Sequence, residues 1–266
     1  MSNNNKKKTS LIIRIPLFII VFTVISFILY FTIMSIISTS RKISEINSNF
    51  SFKQIEKTSI DERFFTDSTF VELQKEKAFI QSRIAMAATD SIGLTLNLRD
   101  SLALLEINGV VVHKSKISYL RICKAFNKAN SFAVATMLSS PLNIVKDTAT
   151  IKKMPLTVRM APKDTSEYVP YVPDTSHSEP VNYILELNNG IRLFIYQQEL
   201  DKSEDFHNQI EFDLTDRVKN TITALRKIKK FEVPEYRLYI KIRIPKDDAK
   251  IIYRAIPRKG LITIYW

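Results

Sequence analysis

Glycine is scarce in this chain: Gly93, Gly109, Gly190 and Gly260 are the only four in 266 residues. Phosphate-cradling loops and dinucleotide fingerprints need several glycines within a few positions, so neither is present and nucleotide-dependent chemistry is disfavoured. Cysteine is scarcer still. A single Cys123 rules out an internal disulfide and a cysteine-rich zinc site. The three histidines, His113, His177 and His207, are scattered, and no His/Asp/Glu group has metal-ligand spacing. No carboxylate pair stands out for glycoside hydrolysis, and neither a metal nor a cofactor is expected.

What is abundant is positive charge and apolar surface. The formal net charge is +12, and 45% of residues are hydrophobic, with sixteen Phe and ten Tyr. An acidic partner or surface follows, with anionic lipid, cell-wall polymer and nucleic acid as the options. The cations are spread over helices and a stalk rather than interleaved with aromatics on one sheet face, so no nucleic-acid partner is expected.

The chain opens on a basic tail, residues 1–10, expected to be disordered and cytoplasmic. From 11 to 37 nearly every residue is apolar, with Arg14 near the start and Pro16 placed in the first helical turn. Ile15 to Ile37 carries no charge, a length that crosses a bilayer at ~1.5 Å per residue. The run is too long for a cleaved signal peptide and lacks a small-x-small cleavage site, which makes it a signal anchor. Lys6, Lys7, Lys8 and Arg14 outweigh Arg41 and Lys42, placing the N-terminus inside and the body across the membrane.

Residues 38–90 form a stalk. Within it, Thr69 and Glu72 make a capping box, and Phe70, Leu73, Lys77, Ile80, Ile84 and Ala87 recur at three- and four-residue steps. This predicts an amphipathic helix, packed on its own domain or pairing two chains into a homodimer through 69–88.

The globular part, 91–266, reads as mainly β with short helices. Ile92–Leu98 alternates, and turns at Asp100-Ser101 and Asn108-Gly109 lead into Leu102–Ile107 and Val110–Ile117. Tyr119, Ile122 and Phe126 suggest one helical face holding Cys123, a structural thiol, and Ser131 a second short helix. His113 is expected on a strand surface. Residues 146–180, with Pro155, Pro162, Pro170, Pro173 and Pro180, read as a long excursion containing one strand, Leu156–Met160, and the solvated His177. Asn188-Asn189-Gly190 joins a hairpin, Val181–Leu187 to Ile191–Gln197. His207 falls in an acidic turn, and Asp213 starts a helix with Leu214, Val218, Ile222, Leu225 and Ile228 on one face.

The last thirty residues are the most regular. Arg237–Ile244 alternates as a strand, Lys246–Ile256 forms a helix with Asp247 and Asp248 in its first turn, and Leu261–Trp266 closes as a strand. This run, KIRIPKDDAKIIYRAIPRKGLITI, resembles the end of the L,D-transpeptidase (YkuD-type) catalytic domain. Arg243 takes the place of the family's arginine after the nucleophile, and Asp248, Ala249, Tyr253 and Gly260 fall in register. The three-strand opening, SIGLTLNLRDSLALLEINGVVVHKSKI, looks like that domain's N-terminus.

The resemblance implies an L,D-transpeptidase-like β-sandwich in a bacterial envelope, anchored in the inner membrane with the main domain periplasmic, and peptidoglycan stem peptides as ancestral ligand. It also implies a loss. The nucleophilic Cys position falls on Lys241, and the activating His position on Tyr196. No catalytic residue is therefore assigned, and the expectation is a pseudoenzyme that binds peptidoglycan or another acidic envelope ligand. Tyr196, Tyr239, Lys241 and Arg243 are the candidate ligand-binding residues, the two cations clamping a carboxylate or forming a solvated basic face. The alternative is an adaptor docking onto a membrane-bound envelope complex. A third option, a surviving enzyme, would need a relocated Cys123–His113 pair or a nucleophilic Lys241.

Overall fold

The computed structural model describes residues 3–50, 68–153, 179–200 and 203–266. The 51–67 part of the stalk lies outside the described residues, as do the strand expected at 156–160 and His177. Two compact units result: Met1–Glu45 with Arg217–Tyr236, and Ile46–Asp216 with Arg237–Trp266.

The first unit contains most of helix α1, Asn3–Asn49. No helix breaker separates Asn3 from Arg14, so the helix begins in the basic tail, where disorder was expected, and Pro16 lies inside it rather than in its first turn. Its stretch Pro16–Asn49 is long and apolar enough to span a membrane or to serve as a signal sequence.

The second unit is mixed α/β, more helical than the mainly β expectation. Its strands are β1 (Gly93–Asn97), β2 (Leu102–Ile107), β3 (Val110–Lys116), β4 (Tyr119–Ile122), β5 (Leu142–Ala149), β6 (Asn182–Leu187), β7 (Arg192–Gln197), β8 (Tyr239–Ile244) and β9 (Leu261–Tyr265). They pair in one nine-stranded sheet, β3-β2-β1-β9-β5-β6-β7-β8-β4. Where two facing sheets were expected, β5 belongs to both halves. Its Leu142 and Asn143 pair with β9, and the rest pairs with β6 across a register shift at Ile144/Lys146, an irregularity that bends a strand.

The helices α2 (Ser68–Ala87), α3 (Lys124–Lys128), α4 (Ser131–Met137), α5 (Ser203–Lys229) and α6 (Lys246–Ala255) complete the element order. Tyr119–Ile122 is strand rather than helix, because it pairs antiparallel with β8 from Ile240 to Arg243. Cys123 is the fully buried residue that starts α3, and α4 is capped by the Asn130 side chain, which accepts from Phe132 N, not by Ser131. Strand β5 occupies the start of what the prolines suggested was irregular. Helix α5 begins ten residues before Asp213, so His207 lies on a helix and Asp213 in its interior.

The C-terminal run forms as its periodicity dictates. Leu238, Ile240, Ile242 and Ile244 are buried, each contributing about 1.5–3 kcal/mol by apolar burial. Pro245 caps α6, whose Ala249, Ile252 and Tyr253 are buried.

Helix α2 packs on the opposite side from the one its periodicity suggested. Ala78, Ser82 and Met86 are buried, whereas Leu73 (60% exposed), Ile80 and Ile84 (65% exposed) face outward. The helix is fixed by Arg83, which holds the buried Glu106 carboxylate through two donors at 2.8 and 3.3 Å. Parallel pairing of β1 with β9 then brings together chain ends far apart in sequence, with Thr95 and Thr263 sharing a buried hydroxyl–hydroxyl hydrogen bond of 2.9 Å.

That pair gives a signed test of the sheet closure. Thr95→Val should lower unfolding stability by about 1–3 kcal/mol, because it strands the Thr263 hydroxyl in a dry environment. Thr95→Val with Thr263→Val should recover most of the loss in denaturant unfolding. A double variant as unstable as the sum of both single ones would contradict the contact.

Candidate functional site

Strand alternation places Arg192, Phe194 and Tyr196 of β7 on the same face as Tyr239, Lys241 and Arg243 of β8, since parallel pairing sets Arg192 beside Tyr239, Phe194 beside Lys241 and Tyr196 beside Arg243. Three of the four expected residues meet. Lys241 Nζ lies 4.6 Å from the centre of the Phe194 ring, 5.6 Å from that of Tyr196 and 6.0 Å from that of Tyr239. Arg243 sits apart toward the β4 edge, its guanidinium 5.5 Å over the Tyr119 ring.

The ammonium at the centre of this group is already paired. Lys241 Nζ donates to Asp213 Oδ1 at 2.8 Å and to the Tyr196 hydroxyl at 3.2 Å, and Tyr196 donates to the same Asp213 oxygen at 2.9 Å. Asp213 comes from α5, whose Phe212 packs with Tyr239 against Ile184, Phe194 and Tyr196. One turn along, Asp216 accepts two bonds from Arg192, which also meets Glu186 at 3.2 Å. Burial works against the Arg192 charge, but Asp216 and Glu186 outweigh it and raise its pKa. Helix α5 thus lays two carboxylates and a phenyl ring over the face expected to hold an acidic ligand. The Lys241–Arg243 carboxylate clamp is not formed: Lys241 turns to Asp213 and Arg243 to Tyr119.

The sequence offered Asp213 only as a helix start. Its role was missed because the periodicity that outlines α5 runs through Leu214, Val218 and Ile222, all of which are exposed, while the sheet-facing side mixes Asp213 and Asp216 with Phe212.

The other candidates are separated. His113 Nε2 lies 3.0 Å from Asp248 Oδ1 and Ser115 donates to Oδ2 at 2.7 Å, so this imidazole joins β3 to α6 rather than standing on the surface. Cys123 is fully buried beside the opposite edge strand, β4, and no Cys123–His113 dyad forms. A second polar cluster was also missed. Tyr253 donates to Asp147 at 3.0 Å, and Lys153 meets the same carboxylate oxygen at 3.6 Å and the Ile256 carbonyl at 3.0 Å. Burial, then Asp147, pushes the Tyr253 phenol well above its ordinary range, and burial pulls the Lys153 ammonium down. A small hollow bounded by α2, α4 and β9 is lined by Ala78, Phe79, Ala135, Leu138 and Trp266, and holds none of the four expected residues.

No family model, curated protein or solved structure matches the chain. The transpeptidase resemblance therefore rests on the sequence motifs alone.

If Asp213 is the counter-charge that seats α5, Asp213→Ala should lower stability by about 1–3 kcal/mol, because it leaves a mostly covered ammonium unpaired. Asp213→Leu with Lys241→Met should regain most of it in thermal unfolding. Equal losses in the single and double variants would contradict the pairing.

Proposed function

We propose that this chain is a single-pass, membrane-anchored adaptor whose transpeptidase-like domain serves as a protein-docking scaffold rather than as a catalyst or an open binding cleft. The observation that carries this reading is the Lys241–Asp213–Tyr196 cluster, which spends the candidate site's central cation on the protein's own helix. An acidic ligand would have to displace Asp213 from both partners before reaching Lys241.

The resemblance supports a bacterial envelope setting, and the apolar run with its flanking charges supports α1 as a signal anchor in the inner membrane, with the N-terminus cytoplasmic and the domain periplasmic. Docking is supported by apolar surface that the fold leaves outside. Leu73, Ile80 and Ile84 face outward on α2. Val110, Val111 and Val112 are exposed on the edge strand β3, close to α2 through the Arg83–Glu106 pair and the near contact of Gly109 with Ala87. An apolar helix stripe beside an apolar strand that pairs with no second neighbour among the described residues is a surface that monomeric proteins avoid and interacting ones keep. Its occupant is another protein of the envelope complex, or a second copy through the 69–88 helix.

A photo-activated cross-linking residue placed at Ile84 or Val111 in cells should give discrete adducts with a membrane protein or with a second copy. The same residue at Lys259, which is exposed and polar, should give none. Adducts at neither position, or equally at all three, would count against the docking surface.

A further inference from the structure

The end of α5 breaks two rules at once. Between Arg217 and Phe231 the chain holds six cations, Arg217, Lys219, Arg226, Lys227, Lys229 and Lys230, and no acid. Cations near a helix C-terminus complement its dipole, which accounts for part of this run. The dipole does not account for Phe231. The helix closes in a Schellman-type turn, with Glu232 N donating to Lys227 O at 3.0 Å and Phe231 N to Ile228 O at 2.9 Å. The residue at the left-handed position of such a turn is usually glycine, and here it is Phe231, at φ 60°. Its ring is also 82% exposed. A strained backbone and a phenyl ring left in water are both unfavourable unless something apolar receives the ring.

The ring's neighbour says what that is. Phe231 lies edge-on to Tyr30 of α1, with ring centroids 6.4 Å apart. Tyr30 falls in the last two turns of the charge-free run that ends at Ile37, where a spanning helix leaves the hydrocarbon core and aromatic side chains concentrate. Val218 and Ile222 add exposed apolar side chains to the same helix. An apolar tip at that depth, flanked by lysines and arginine long enough to reach upward, is the composition of an interfacial element bound to anionic lipid.

We propose that the C-terminal turn of α5 is a second membrane contact. Phe231 enters the boundary between headgroups and acyl chains beside Tyr30, and Arg226, Lys227, Lys229 and Lys230 hold anionic phospholipid headgroups. The proposal rests on α1 spanning the membrane.

The test uses the full-length chain reconstituted in vesicles of phosphatidylcholine and phosphatidylglycerol, brominated at the upper acyl positions. Phe231→Trp is compared with the wild type, whose emission reports Trp266 alone. The added tryptophan should emit to the blue and be quenched by the bromines. Lys227→Gln, Lys229→Gln and Lys230→Gln together, in the Phe231→Trp background, should reduce the quenched share. Matching circular dichroism shows that these variants remain folded. Red, unquenched emission from a protein that resists alkaline carbonate extraction would overturn the proposal while leaving the span intact. Quenching identical in the lysine variants would overturn the headgroup contacts. Release by carbonate would overturn the span, and this proposal with it.

Discussion

A lysine ammonium on a covered strand face needs a counter-charge, and in this protein Asp213 supplies it. The need for that helix is topological before it is electrostatic. Strands β7 and β8 are parallel neighbours, and parallel neighbours cannot be joined by a tight turn; the chain must cross over the sheet to return. The crossover here is the segment containing α5, which carries Phe212, Asp213 and Asp216 onto the face between Arg192 and Lys241. The connection demanded by strand order is thus the same element that covers the candidate site. Losing the Asp213 carboxylate would leave a mostly covered cation without its counter-charge, which is why this one pair has consequences for both stability and access.

Legibility in the sequence followed the strength of apolar alternation. The closing strand–helix–strand unit, the β2–β3 hairpin at Asn108-Gly109 and the β6–β7 hairpin at Gly190 all lie within a residue or two of where pattern and turn chemistry placed them. Strand period puts Tyr239 and Lys241 on one face, and parallel pairing with β7 brings Tyr196 beside them. Their partner was not legible. Asp213 meets Lys241 across 28 positions of sequence, through a helix whose sheet-facing side sets carboxylates beside Phe212, and hydrophobic periodicity has little sensitivity to such a side.

The same blindness misassigned the buried face of α2, although the helix itself lies where the capping box placed it. Its buried stripe is Ala78, Ser82 and Met86, small or flexible side chains that let the helix approach closely, while the larger Leu73, Ile80 and Ile84 remain outside. Size and hydrophobicity pointed to the side that stays exposed, and the proposed docking role rests on that exposure. Strand β4 was read as helix for a related reason: Tyr119 and Ile122 satisfy a helical spacing, and only pairing with β8 decides against it. In α2 and α5, the mismatch between pattern and packing coincides with exposed apolar surface, the feature on which the proposed docking role rests.

The most direct test of an occluded, non-catalytic site is co-sedimentation of the protein with purified peptidoglycan sacculi across a salt series, beside a variant carrying Lys241→Ala and Arg243→Ala. The account predicts pelleting that vanishes with modest salt and is shared by both proteins, the behaviour of a chain of net charge +12 on an acidic polymer. Pelleting that survives salt in the wild type and fails in the variant would contradict it, and would mean that the face beneath α5 opens to bind the wall.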